Sequence, residues 1–376
     1  VHGTLGLRYT LGPYTTLRLL THSIEDTEYA NTVQLLRDNP AFYKTQAMQE
    51  LGLHRIPEEK SDRELGAWIF SHVYDEMQQY FNPRNAVYYT FGWSGLLSAR
   101  DRRVAGRSLY HQLKEVYRSW REQGYTPHIS ILGYSHGGTV AEHIAPYHAE
   151  DNEPTFTTID ELILLGTPSQ RKTDCFATWP VFQQAYNIFS RGDFFQKIDV
   201  LSGPDAWPDR RFRYVENCSN HHQMYDIGFR VSMPPYCNGQ YQYYRKGKHR
   251  RDYAPGHIEL YFFEWSTSSW LYRKNFPLAP LPSAILVPAI IAQQHHFPSR
   301  DVMCDIWPPE QIIRIRERYT CGWNQYPFPI WTPLQELSSW TLQHAPELNT
   351  QLISSYSARK ARSIVYTVWD DIYAKC

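Results

Sequence analysis

The residues whose types and spacing could do chemistry gather at Gly133-Tyr134-Ser135-His136-Gly137-Gly138. A serine hydroxyl is a weak nucleophile until a base takes its proton, so it has to project into an open site. A sharp strand-to-helix turn achieves that projection, but it strains the serine backbone and crowds the chain on either side. Side chains two residues before and after the serine would collide, and Gly133 and Gly137 stand at those two positions. An apolar run, His128-Ile129-Ser130-Ile131-Leu132, leads into the turn, and Thr139-Val140-Ala141-Glu142-His143-Ile144-Ala145 leads out of it with helical character. The chemistry open to such a serine is attack on an electrophilic carbon. It needs a histidine to take the proton and a carboxylate to orient that histidine.

Both partners have rivals in the sequence. Asp193 follows the strand-like run Ala185 to Phe189 and a Ser190-Arg191-Gly192 turn; Asp199, Asp205 and Asp160 are the other acids considered. Asp193 could instead bond its own backbone in that turn. Among 16 histidines, His257 follows Pro255-Gly256 and opens a helical run, while His221 and His222 come soon after an expected strand at Phe212 to Glu216. With Cys218, the last two are too crowded for any common metal-ligand spacing, and no metal is expected. His136 is too close to the serine along the chain to serve as its base.

Positioning elements can be read on either side of the turn. Apolar runs alternate with helical patterns over the first two thirds of the chain, as a parallel α/β sheet requires. Strands are expected at Ala86 to Phe91, Ile129 to Tyr134, Ile159 to Leu165 and Ala185 to Phe189. A helix is expected from Ala99 to Gln123, with Val104, Leu109, Leu113, Val116, Tyr117 and Trp120 near helical spacing and Gly124 as its cap. Another is expected from about His136 to Ala149. Ser61 and Glu64 form a capping box for a third, running to about Tyr80. Four prolines between Pro277 and Pro288 mark a change of texture, and Pro309 to Tyr319, Leu334 to Gln343 and Glu347 to Lys360 read as helices. The organisation expected is therefore a catalytic α/β domain over 1–275, with an irregular insertion at 218–252, and a helical C-terminal extension or cap over 276–376.

The chain has 376 residues, and at this size about 75% of the unfolded surface is buried on folding, enough for a core without disulfide staples. Hydrophobic residues are 42% and charged residues 20%, which argues against global disorder. Lys plus Arg and Asp plus Glu are 38 each, so there is no general attraction to nucleic acid or to an anionic membrane. The longest nearly apolar stretch, Leu278 to Ala292, carries three prolines and is too short to span a bilayer, so a soluble protein is expected. Six cysteines show no metal or redox spacing, although Cys218 with Cys237, or Cys304 with Cys321, could bridge in an oxidising compartment. The chain opens on Val1 rather than Met, in what reads as the end of a strand. That points to processing or omission upstream and leaves the compartment open.

The sequence resembles the α/β-hydrolase superfamily, in particular lipase-like and esterase-like serine hydrolases, over roughly residues 1–275. The likeness rests on ordered blocks: Val1-His2-Gly3-Thr4, then Phe91-Gly92-Trp93-Ser94-Gly95 with Ser98, Arg102, Ala105 and Leu109, then the Ser135 turn. Leu165-Gly166-Thr167-Pro168, Ser190-Arg191-Gly192-Asp193 and Gly256-His257 follow in order. The stretch from Leu5 to Asn85 is long for the family, and residues beyond 275 match none of its blocks. The resemblance implies the chain order serine, acid, histidine, and hence Asp193 and His257 as partners of Ser135. It implies the backbone N–H groups of His136 and Thr4 as the oxyanion hole. It further implies cleavage of a small-molecule or lipid ester through an acyl-enzyme, with no cofactor. Amidase, peptidase and acyltransferase chemistry, and a catalytically silent scaffold, use the same residues and stay open.

Other charge clusters read as solvated or structural. These are Arg100, Arg102, Arg103 and Arg107 on the expected helix, and the basic residues between Arg245 and Arg251.

Overall fold

The computed structural model describes residues 1–3, 27–38, 50–61, 64–156, 158–168, 170, 173–193, 196, 211–212, 224–233, 236–237, 240–241, 251–253, 257, 282–293, 299–307, 312–317, 324–326, 336–337, 340 and 343–344. They fall into two compact units. The first comprises Val1–Trp68, Val87–Phe189 and Asp193–Gly228; the second comprises Ile69–Ala86, Ser190–Gly192 and Phe229–Cys376.

In the first unit, strands β3 (Ser130–Tyr134), β4 (Ile159–Leu165) and β5 (Phe182–Ser190) lie side by side in parallel, with Leu132 opposite Ile163 and Leu164 opposite Asn187. The first half of β6 (Met224–Met233) follows β5 in the strand order. On the far side of β3, the Val1 nitrogen donates to Leu132 O at 2.8 Å and Tyr134 N–H donates to Val1 O at 3.0 Å, the pattern of a parallel ladder. Strands buried on both faces read as continuous apolar runs, and Leu162, Ile163, Leu164 and Leu165 are all buried.

Helix α3 (Ala99–Glu122) joins the core of this sheet, with Ala105, Leu109 and Tyr110 in one apolar cluster with Ile131, Leu162 and Leu164. Ser98 caps it, its Oγ accepting from Asp101 N–H at 3.2 Å, with Asp101 in the first turn and Arg121 in the last to complement the helix dipole. Its buried stripe is Arg102, Ala105, Gly106, Leu109 and Tyr110. Val104, expected on the apolar face, is exposed, and Arg102, expected in the solvated cluster, is buried. A step of about 100° per residue separates Val104 from the Ala105–Leu109 line and brings Arg102 onto it. The helix expected from His136 to Ala149 is two: α4 (His136–Glu142) and α5 (Ile144–Glu150). Helix α1 (Glu28–Arg37) also belongs to this unit, as does a separate antiparallel pair of β1 (Gly52–Arg55) and β2 (Tyr89–Gly92). Ser61 and Glu64 meet as the capping box requires, just before α2 (Leu65–Phe81): Ser61 Oγ accepts from Glu64 N–H at 3.4 Å, and the Ser61 hydroxyl donates to the Glu64 carboxylate.

The second unit corrects the sequence reading. The C-terminal part is not simply helical: β10 (Asp301–Trp307), β11 (Ile312–Glu317) and β12 (Asn324–Tyr326) form an antiparallel meander. Ile313-Arg314-Ile315-Arg316 alternates with period two and is β-branched at every second position, which favours a strand; Ile315 is buried and both arginines are half-buried. Within the segment read as irregular, β6 runs the full length from Met224 to Met233, and β9 (Arg251–Tyr253) pairs with it antiparallel. Tyr225, Ile227, Phe229, Val231 and Met233 alternate along it with Asp226, Gly228, Arg230 and Ser232, and the charges of Asp226 and Arg230 find partners away along the chain. Asp226 accepts from Asn187 Nδ2 at 2.6 Å and pairs with Arg211, and Arg230 pairs with Asp305. A short pair, β7 (Tyr236–Cys237) and β8 (Gln240–Tyr241), completes the strands among the described residues. Helix α6 (Pro282–Ala292) buries Ala284, Leu286, Val287, Ala289 and Ile290, so this apolar stretch packs as core. Among the described residues no helix is long and apolar enough to cross a membrane. Cys304 is a free, fully buried thiol, and Cys321 lies outside the described residues.

Candidate active site

Ser135 sits between the end of β3 and the first residue of α4, with φ +54° and ψ −131°. It is the one non-glycine residue at positive φ among the described residues. An L-residue there costs of the order of 1–3 kcal/mol, and the strain persists only when the surroundings over-determine it. Here they do. Ser135 N–H donates to Leu165 O at 2.9 Å, continuing the β3–β4 ladder into the turn, and Gly138 N–H donates to Ser135 O at 3.0 Å.

The glycines are demanded by contact. A Cβ on Gly133 would fall 2.5 Å from Gly138 Cα, and one on Gly137 would fall 2.3 Å from the carbonyl oxygens of both Val1 and His2. A Cβ on Gly138 would fall 1.9 Å from Thr167 Oγ1. Position 133 follows from the turn itself; position 137 is dictated by Val1 and His2, and position 138 by Thr167, which only the fold brings there. Gly3 approaches from the opposite side, where a Cβ would lie 2.9 Å from Ser135 Cβ.

Blocks distant in sequence therefore converge on the serine within one unit. His2 stacks on Trp93 at a centroid distance of 5.6 Å, Trp93 Nε1–H donates to His2 O at 2.7 Å, and Trp93 N–H donates to His2 Nε2 at 3.2 Å. His2 Nδ1 lies 2.7 Å from Gly3 O and Arg37 Nη2 lies 2.9 Å from His2 Nε2. A carbonyl can only accept, and guanidinium and amide N–H groups can only donate, so the proton of His2 is on Nδ1 and the lone pair on Nε2. Burial first, and then the Arg37 charge, hold this imidazole well below the usual histidine range, so it is neutral.

His136, the first residue of α4, is buried, and N–H groups of a first helical turn have no acceptor within the helix. Thr4, the other expected oxyanion donor, lies outside the described residues. Asp193 is fully buried three residues beyond β5, and one of its oxygens accepts from Gln196 N–H at 3.1 Å. That is the local turn bond weighed from sequence, and a carboxylate with about four lone-pair sites is not exhausted by it. Gln196 Nε2 in turn donates to Thr167 O at 2.8 Å, so Asp193 connects through Gln196 and Thr167 to Gly138 of the serine turn. His257 is half-buried and belongs to the second unit. The rivals Asp199, Asp205, His221 and His222 lie outside the described residues; Asp160 accepts from Ile129 N–H at 2.7 Å, at the opposite end of β3 from Ser135.

Arg37 and Gln196 escaped the sequence reading. Arg37 is one basic residue in the last turn of α1, 35 positions from His2, and nothing in its neighbourhood distinguishes it from a solvated side chain. Behind the turn a second polar group was also invisible. Glu142 is buried beside Asp174 and Arg102, and burial followed by the Asp174 charge lifts its carboxyl well above the usual range. Comparison with protein-family models, with curated proteins and with solved structures finds no match for this chain.

Proposed function

We propose that the chain is a serine hydrolase of the α/β-hydrolase type that cleaves carboxylic esters. The observation that carries the reading is Ser135, held at positive φ between a parallel strand and a helix by contacts that only glycine tolerates on three sides. Strain of this kind is expected where a side chain must be presented for chemistry.

In the proposed reaction Ser135 Oγ attacks the ester carbonyl while His257 takes its proton, and Asp193 orients His257. The backbone N–H groups of His136 and Thr4 receive the developing oxyanion. The tetrahedral intermediate collapses, the C–O bond breaks and His257 protonates the departing alcohol. Water, deprotonated by His257, then attacks the acyl-enzyme and frees the carboxylic acid together with the Ser135 hydroxyl. The assignments of His257 and Thr4 rest on chain order and on the resemblance.

The test is labelling of the full chain by a fluorophosphonate together with turnover of p-nitrophenyl esters of increasing acyl length, with an anilide beside them. Ser135→Ala should lose both while keeping its circular dichroism spectrum. A parent chain that neither labels nor turns over, or a Ser135→Ala variant that still does either, overturns the reading.

A further inference from the structure

We propose that His72, Trp340 and His344 form a pH-sensitive latch, which holds the helical segment around Trp340 on α2 while both imidazoles are neutral and releases it when His72 takes a proton. All three residues belong to the second unit, and the inference stands apart from the hydrolase reading.

Glu336, Leu337, Trp340, Gln343 and His344 are helical. Steps of three and four residues put Leu337, Trp340 and His344 on one face, and Leu337 is buried. The Trp340 indole stacks on the His72 ring at a centroid distance of 4.1 Å with 26° between the planes. It stacks on the His344 ring at 4.2 Å with 21° between the planes. Two rings cannot both lie over one face of an indole at such distances, so the imidazoles take opposite faces with Trp340 between them. His344 is fixed by its own segment: its Nδ1 lies 2.8 Å from Trp340 O, and since a carbonyl only accepts, Nδ1 carries the proton. His72 is the ring that α2 contributes, so this stack ties the segment to α2 through one side chain.

The groups that face His72 decide the sign. On α2, a Glu76 carboxylate oxygen is 3.9 Å from His72 Nε2 and Asp75 adds a second negative charge, and both favour a proton. The indole face also favours a cation. Burial opposes the proton most, and His344 opposes it from the facing segment. Glu336, four residues before Trp340, is exposed. Burial prevails and holds His72 below the usual histidine value of 6.5. A histidine held down in the closed latch supports closure fully above 6.5, and that support is lost as pH falls through the lower value. The His72 side chain is already 36% exposed, so a small displacement of the segment rehydrates the imidazolium without disturbing α2.

The test uses the full chain labelled with 5-fluorotryptophan, the 19F resonance of Trp340 being identified by its absence in Trp340→Phe. Between about pH 8 and about pH 5 this resonance should move from a stacked to a solvent-exposed position, with a one-proton midpoint below 6.5 and an unchanged far-ultraviolet circular dichroism spectrum. His72→Phe keeps a ring on the indole and takes no proton, so its Trp340 resonance should stay at the stacked position throughout. His72→Ala should show the exposed position already at pH 8. Glu76→Gln removes a charge that favours the proton, and it should lower the midpoint by about 0.3 pH unit or more.

A Trp340 resonance that does not move in the parent overturns the inference. So does one that titrates alike in His72→Phe, or that keeps the stacked position in His72→Ala. A midpoint that Glu76→Gln raises or leaves alone overturns it too, because a merely structural stack would not answer to that carboxylate in the stated direction. Loss of the circular dichroism signal at the same midpoint also overturns it, since the latch would then have no transition of its own. None of these readouts uses turnover, so they leave the Ser135 reading untouched.

Discussion

Gly3 stands against Ser135 so closely that a Cβ at residue 3 would fall 2.9 Å from the Cβ of the serine and 3.2 Å from the Tyr134 ring. No rotamer change removes a Cβ, so Gly3→Ala must push either the turn or the nucleophile. Overpacking of this kind costs about 1–3 kcal/mol. The expected outcome is a folded variant with ester turnover at least tenfold down, read by p-nitrophenyl ester kinetics beside thermal unfolding. Parent-like turnover would show that the turn is not part of the site.

The serine's backbone conformation makes a prediction about stability that is independent of chemistry. At φ +54° and ψ −131° any Cβ is strained and glycine is not. Ser135→Gly should therefore be more stable than Ser135→Ala by about 1 kcal/mol in urea denaturation, despite the greater chain entropy of glycine in the unfolded state. Equal stability, or an advantage to alanine, would mean that the turn carries no strain.

The third glycine of the turn answers to Thr167. Gly138→Ala places a Cβ 1.9 Å from Thr167 Oγ1 and 2.7 Å from Cγ2, and it should cost about 1–3 kcal/mol. Thr167→Ala removes both atoms and leaves the Cβ at 2.8 Å. The double variant should thus be less destabilised than the sum of the single ones by at least about 0.5 kcal/mol. Strict additivity in the denaturation cycle would contradict the contact.

Three buried groups near the turn give stability a definite pH dependence. Burial, with Arg102 and Arg103, holds His143 down at about 3, and His2 is held well below 6.5. Each is neutral in the fold and becomes protonated on unfolding below about 6.5. Their contribution is intact above that pH and is lost as pH falls towards the folded values. Glu142 acts in the opposite sense: its folded value is raised above 4.5, so it subtracts stability as pH rises through that point. Between pH 4.5 and 6.5 the histidines make stability rise with pH while Glu142 works against them, and His143 by itself contributes a rise of about 1.4 kcal/mol per pH unit. His143→Gln should remove one proton's worth of that slope in urea titrations across the window. An unchanged slope would show that His143 is charged in the fold.

How far the sequence reaches differs from element to element. The Ser135 turn, the parallel strands β3 to β5, helix α3 with Gly124 after its end and the Ser61–Glu64 box were readable, because each is set by neighbours within a few residues: apolar period, cap chemistry and glycine where the turn is tight. Strand β6 carries a period-two row of its own in Tyr225, Ile227, Phe229, Val231 and Met233, but the partners of Asp226 and Arg230 on its other face, Asn187, Arg211 and Asp305, come only from the fold. Strand β11 lies within Pro309 to Tyr319, which reads as a helix, although Ile313 and Ile315 alternate with Arg314 and Arg316 as on a pleat.

By itself, then, the sequence determined that a serine would be lifted on a glycine-flanked bend between strand and helix, since that bend is encoded within six consecutive residues. Tertiary structure alone decided what surrounds it. Arg37, His2, Gly3 and Trp93 meet beside Ser135, and Gln196 and Thr167 link Asp193 to Gly138, through contacts between residues 29 to 132 positions apart. Such contacts depend on how the sheet and helices pack, and a buried arginine among 38 basic residues carries no local mark of the partner it will find.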